Sequence, residues 1–258
     1  MSLLQLYLDQ FLVFILVLTR VSGLVLTAPM FGSRSVPMRI RAFLAVGLSL
    51  IIAPLQGNPA VAVPSDWFHL ALMLGREVLL GLSLGLAVMI VFTGLQLTGQ
   101  IIGQMGGVSL AEVIDPTFED SVPVFAQLLD IVTLSVFVAI GGHRHVLGAL
   151  LDTFRNRPPG IDDIPPSLMP ALTQIVSESF VVGFRAAAPV MLALLLAAVI
   201  VGLISRTLPQ LNVIVVGFSI NVLIMLAVLA VCLGAMVDVV CVSTNDMIET
   251  IHRVWVNK

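Results

Sequence analysis

From Val78 to Ala111 the chain carries no charged side chain. That run exceeds the roughly 20 apolar residues a helix needs to cross the hydrocarbon core of a bilayer. Ala186–Ser205 and Thr207–Met236 are similar runs, broken only at Arg206; Gln10–Gly32, Ala42–Gln56 and Ser121–Gly142 are shorter or interrupted ones. Lipid offers backbone N–H and C=O groups no partner, so segments of this kind must satisfy their hydrogen bonds internally. The sequence therefore predicts an all-α, polytopic membrane-associated chain of helical hairpins with about six apolar segments.

Composition points the same way. Of 258 residues, 59% are apolar and 10% charged, against roughly 45–50% and about 25% in a soluble domain. Mean hydropathy is +1.11. These values exclude a disordered chain, a collagen-like repeat and a disulfide scaffold. The formal net charge is −3 with no basic block, which gives a nucleic-acid surface no electrostatic support. Cys232 and Cys241 have no His or further Cys beside them, so neither a zinc site nor a disulfide framework is expected. No cleavable leader is expected either, because Asp9 precedes the first apolar run and no basic residue occurs before Arg20.

The few charges stand in awkward places. Arg20 and Asp130 interrupt apolar runs, and Arg76, Glu77, Glu178 and Arg185 lie against them. An ionisable group at mid-bilayer costs at least ~2.5–3.5 kcal/mol unless it faces protein or water. A six-span layout puts Arg34, Arg39, Arg41 and Arg206 on one side. Arg76, Arg144, Arg155, Arg157, Arg253 and Lys258 fall on the other. That balance is too even to orient the chain. Every basic residue except Lys258 is arginine, the side chain suited to hydrogen-bonded burial. A chain built this way is expected to bury much of itself against other protein.

Three segments are not span-like. Ser33–Arg41 is a short basic turn containing Pro37. Asp152–Pro170, rich in proline, separates an N-terminal part (1–151) from a C-terminal part (171–258). The latter reads as a hairpin of Ala171–Ser205 and Asn212–Met236, with Asn245–Val256 as an amphipathic end helix. Gln104–Val122 is acidic and glycine-containing and interrupts two apolar runs. Its Glu112, Asp115, Glu119 and Asp120 read equally as an ordinary loop or as a functional lid or plug.

Local motifs add packing more than chemistry. Gly81-Leu-Ser83-Leu-Gly85 matches the G-x-S-x-G elbow of hydrolases, but that elbow requires a strand–turn–helix context. Gly81 with Gly85, and Gly99 with Gly103 and Gly107, are also glycines four apart, which allow close helix approach. His143 and His145 project to different helical faces and are read as capping or interfacial residues. A solute transporter using Arg20, Asp130, Glu178 or Arg185 for proton coupling is the rival reading from residues alone.

An ordered set of short motifs then resembles the FliR family of flagellar export proteins and its injectisome counterparts. It begins with Arg20-Val-Ser-Gly23, Thr27-Ala-Pro29-Met-Phe31-Gly32 and Ser35-Val-Pro37-Met-Arg39-Ile-Arg41. It continues with Gly103-Gln104-Met105-Gly106, Asp115-Pro116, Gly142-His143 and Asp152-Thr-Phe154. It ends with Arg206, Pro209-Gln210-Leu-Asn212 and Val216-Gly217-Phe218. The set runs from about Phe11 to the C-terminal region; the acidic Phe118-Glu-Asp120 departs from it. The resemblance implies a non-enzymatic subunit of a type III export gate in the bacterial inner membrane, at the flagellar basal body. It implies a FliP-like 1–151 and a FliQ-like 171–258, wound in a spiral with FliP-like and FliQ-like partners around a pore for unfolded substrates, with an FlhB-like subunit as a further partner. No cofactor, metal or nucleic acid is implied. The family loop matching Gly106, Gly107, Val108, Ser109, Leu110, Asp115, Pro116 and Phe118 closes the pore, which favours the plug. The stretch Ala28–Pro37 leans towards the flagellar branch over the injectisome branch.

Overall fold

The computed structural model describes residues 3–32, 36–57, 66–107, 124–160, 165–207 and 213–256. Among these the chain is helical with no strand: α1 (Leu3–Thr27), α2 (Pro29–Gly32), α3 (Met38–Leu55), α4 (Trp67–Met105), α5 (Val124–Ala139), α6 (Gly142–Asn156), α7 (Leu168–Thr207) and α8 (Val213–Val256). Four of them, α1, α3, α4 and α7, are long and apolar enough to cross a membrane; the count reaches six if α5 with α6, and the bent α8, are each one span.

The helices are longer than the uncharged runs. α4 begins at Trp67 and passes through Arg76 and Glu77, and α7 begins at Leu168 and passes through Glu178 and Arg185. A charge ends a lipid-compatible run without ending a helix, because Arg and Glu are themselves good helix formers. α8 likewise continues to Val256, so Asn245–Val256 is its last part and no separate end helix. There Arg253 donates to Glu249 Oε2 at 3.4 Å across one turn. The proline-rich connection is correspondingly shorter than Asp152–Pro170, since α6 runs to Asn156 and α7 starts at Leu168.

Glycine sets two of the ends. α4 stops at Gly106–Gly107, where Gly107 has φ +82° and donates to the Gln104 carbonyl at 3.2 Å; a left-handed residue just past a helix is the usual stop. Gly141, with φ +75°, caps α6, and its carbonyl accepts from Arg144 N–H at 2.8 Å.

The chain forms two compact units, each assembled from sequence-distant pieces. The first comprises Met1–Val91, Gly141–Val176 and Thr244–Lys258. Its core is built from α1 (Leu16, Val17, Val21, Leu24), α4 (Leu80, Leu84, Val88) and α6 (Val146, Leu150, Phe154). The second comprises Phe92–Ile140 and Ser177–Ser243. There Ile102 of α4, Leu129 of α5, Ala187, Val190 and Leu194 of α7 and Met225, Leu229 and Met236 of α8 form one cluster. Phe92 and Phe137 add an edge-to-face ring pair at 5.3 Å.

Helices approach each other through glycine. In the first unit a Cβ on Gly23 would lie 2.9 Å from the Val78 carbonyl oxygen, and one on Gly81 or Gly85 would overlap Arg20 or Thr27. In the second, a Cβ on Gly99 would lie 2.5 Å from Ala126 Cα. By contrast, Gly47 and Gly202 face open space. We therefore expect Gly81→Leu or Gly99→Leu to abolish recovery of folded protein from detergent, since backbone cannot yield. Gly202→Ala should be neutral or stabilising by up to ~1 kcal/mol in denaturant titration, because it removes only the glycine penalty.

Candidate functional site

A buried polar arrangement lies in the first unit, around Arg20. Its side chain is 1% exposed and that of Glu77 is 3% exposed, one from α1 and the other from α4. Arg20 Nε donates to Glu77 Oε2 at 2.5 Å. A second guanidinium nitrogen donates to the Arg157 carbonyl at 3.1 Å and to Thr153 Oγ1 at 3.3 Å. The planar guanidinium lies over the Phe154 ring at 4.3 Å from its centre, a cation–π contact strengthened by the absence of water. Glu77 Oε1 accepts from Gly160 N–H at 3.1 Å; Gly160 has φ +86°, a conformation few other residues adopt.

The arrangement fits the chemistry of its parts. A buried carboxylate and a buried guanidinium are tolerable only when paired and hydrogen-bonded. Here both carboxylate oxygens are used, and the guanidinium is met by a carboxylate, a hydroxyl, a carbonyl and a ring face. The cluster thus ties α1, α4 and α6 to the segment that follows α6. It is a clamp in which each charged group meets several partners.

A second polar crossing lies in the other unit. Thr98 Oγ1 of α4 donates to the Gly183 carbonyl of α7 at 3.0 Å. A Cβ on Gly183 would lie 2.5 Å from the Gly94 carbonyl oxygen, so the two backbones touch where both residues lack a side chain.

The sequence-derived residues fall as follows. Pro29 and Gly32 bound α2, and Pro37 precedes α3 as its N-cap. Arg39 is exposed, while Arg41 Nε donates to the Val36 carbonyl at 3.1 Å, bracing that turn. Gln104 and Met105 are exposed at the end of α4, Gly103 is buried, and Arg206 is exposed at the end of α7. Gly106 is buried, with Met225 Sδ 2.7 Å from where a Cβ would stand. Val108, Ser109, Leu110, Asp115, Pro116, Phe118, Pro209, Gln210 and Asn212 lie outside the described residues. Ser83 is buried in mid-helix and donates to the Leu80 carbonyl at 2.8 Å, so it occupies no nucleophile elbow. Asp130, Glu178 and Arg185 stand on exposed faces of their helices. His145 is exposed, and His143 is half-buried with no hydrogen-bond partner for Nδ1 among the described residues.

Sequence reasoning did not pair Arg20 with Glu77, nor find Gly94, Thr98 and Gly183. The available signal for the first was two opposite charges breaking separate apolar runs. Asp130 and Glu178 carried that signal equally, so spacing could not choose among them. For the second there was no motif, since the contact joins single glycines of distant helices.

An all-helical chain with several membrane-length apolar helices, locked by a buried ion pair and by glycine crossings, defines the class as a polytopic membrane protein. Comparison with known proteins narrows this: residues 11–247 match the family described as "Bacterial export proteins, family 1", and the chain belongs to that family. It is 33% identical over 213 residues to the flagellar biosynthetic protein FliR of Escherichia coli (strain K12), covering 83% of this chain and 81% of that protein. It is 29% identical over 251 residues to FliR of Bacillus subtilis (strain 168), covering 95% of each. With FliR of Caulobacter vibrioides it shares 31% over 220 residues, 85% of this chain and 87% of that one.

The ion pair yields a direct test. Arg20→Met or Glu77→Gln alone should cost roughly 3–5 kcal/mol, because each leaves a buried partner unmatched. The double variant Arg20→Met, Glu77→Gln should lose clearly less than the sum of the two. Denaturant titration of all variants in one detergent checks this; strict additivity would deny the coupling.

Proposed function

We propose that this chain is a subunit of a flagellar-type type III protein export gate in the bacterial inner membrane, within the flagellar basal body. It assembles with FliP-like and FliQ-like subunits in a spiral around a pore that passes unfolded flagellar proteins, and an FlhB-like subunit is a further partner. Residues 1–151 take the FliP-like part and 171–258 the FliQ-like part, and the role is non-enzymatic. The observation that carries this reading is family membership over residues 11–247; the likeness to proteins named for flagellar biosynthesis supports the flagellar over the injectisome branch.

Surface chemistry supports an assembled role. α7 turns Leu192, Leu195, Leu196, Val199, Ile200 and Leu203 outward, and α8 turns Leu223 and Val231 outward. Apolar faces this continuous are contact surfaces for lipid or for other subunits. The segment after Gly107 is the plug in this reading. It leaves α4 at a glycine stop, and a closing loop must turn sharply from a rigid support.

Deleting the plug loop, residues 106–122, in an assembled gate should raise small-ion permeability while leaving subunit association intact. Ion flux measured in vesicles holding the purified complex tests this, and unchanged flux would remove the plug role. Co-purification tests the wider reading: the chain should emerge in a fixed complex with two smaller apolar partners. Solute uptake by the chain alone would instead favour a transporter.

A further inference from the structure

In the second unit the last turn of α4 reaches past α5 and leans on α8. α4 and α5 run antiparallel, since Phe92 meets Phe137 and, further along α4, Gly99 meets Ala126. α5 begins at Val124, two residues before that second contact, whereas α4 continues to Met105. At about 1.5 Å per residue, Gly106 lies about 10 Å beyond the Gly99 crossing and Val124 only about 3 Å beyond it. The final turn of α4 therefore projects beyond the first residue of α5.

Met225 of α8 meets that turn. Its side chain is 0% exposed, and it belongs to the cluster that also holds Ile102 of α4, Leu129 of α5, Val190 of α7 and Leu229 of α8. A Cβ on Gly106 would stand 2.7 Å from Met225 Sδ and 3.2 Å from its terminal methyl carbon. The thioether thus rests directly on bare backbone. Gly106 is itself buried, and its N–H donates to the Ile102 carbonyl at 2.9 Å, closing the last α-helical turn. One residue on, Gly107 takes the chain out of the helix with φ +82°.

A thioether suits this position because it is unbranched and fills irregular gaps. Alanine at 225 would leave nothing over Gly106. Leucine would keep an atom near the place of the sulfur and lose only the methyl beyond it. Helix ends ordinarily fray. Here the end is held at its final hydrogen-bonded residue, so the turn at Gly107 starts from a fixed point.

We propose that Met225 is a positioning residue for the plug: by seating Gly106 it fixes the point and direction at which the chain leaves α4. This rests on the plug reading given above, and it gives the C-terminal part of the chain a share in closing a pore through a loop of the N-terminal part. Ion flux is measured in vesicles holding the purified, substrate-free gate for Met225→Ala, Met225→Leu, Gly106→Ala and Leu229→Ala, beside the loop deletion. Met225→Ala should raise flux at least roughly threefold, because a closed gate leaks in proportion to the fraction of time its plug is displaced. Met225→Leu, close in volume, should stay within about twofold of the parent. Gly106→Ala displaces only the tip of a flexible side chain, so it should assemble and also leak; it decides the matter alone where Met225→Ala yields no complex. Leu229→Ala, in the same cluster one turn along α8, should lower thermal stability without raising flux. Parent-level flux from an assembled Met225→Ala or Gly106→Ala gate, or equal leakage from Leu229→Ala, overturns the seat while the loop deletion still leaks. A loop deletion that leaks no more than the parent removes the plug reading, and the seat with it.

Discussion

The buried pair of Arg20 and Glu77 governs how the first unit can be put together. Each residue sits in a largely apolar helix and finds its charged partner in the other. α1 and α4 can enter a low-dielectric environment together at little electrostatic cost, and apart only at a large one. Register follows from this. When Arg20 reaches Glu77, Gly81 lies against the Arg20 carbonyl and Gly85 against Thr27, so the close backbone approach and the ion pair select the same alignment. The remaining donors and acceptors run to Thr153, the Arg157 carbonyl and Gly160 N–H. The pair therefore also fixes where the chain leaves α6.

Small residues do the complementary work where no charge is present. Between helices in lipid there is little hydrophobic driving force, so close packing and interhelical hydrogen bonds must hold them. Gly94 against Gly183 with the Thr98 hydrogen bond, and Gly99 against Ala126, are this solution in the second unit. The long apolar faces of α3, α7 and α8 remain exposed.

Much of the fold was legible beforehand because uncharged runs of span length admit few structures. The helical class and the approximate places of the apolar segments followed from where charges and glycines fall, while the interruption read as starting at Gln104 starts only after Met105, the last residue of α4. Helix ends did not, since α4 and α7 pass through Arg76, Glu77, Glu178 and Arg185, which interrupt hydropathy and leave helix propensity intact. Family motif residues such as Arg20 and Pro37 were legible as a pattern, yet the pattern gave no reason for Arg20. The reason is a carboxylate, a hydroxyl, a carbonyl and a ring brought from three other places in the chain.

By itself, then, the sequence determined that this protein is helical, avoids water and keeps its few charges where lipid would penalise them. Those properties depend on local composition and on backbone hydrogen bonding, which a linear reading captures. Only the tertiary structure decided that Arg20 pairs with Glu77 and not with Asp130 or Glu178, and that Gly94 meets Gly183. Such choices turn on which distant helices lie in contact and in what register, and a buried charge or a bare backbone carries no mark of its partner along the chain.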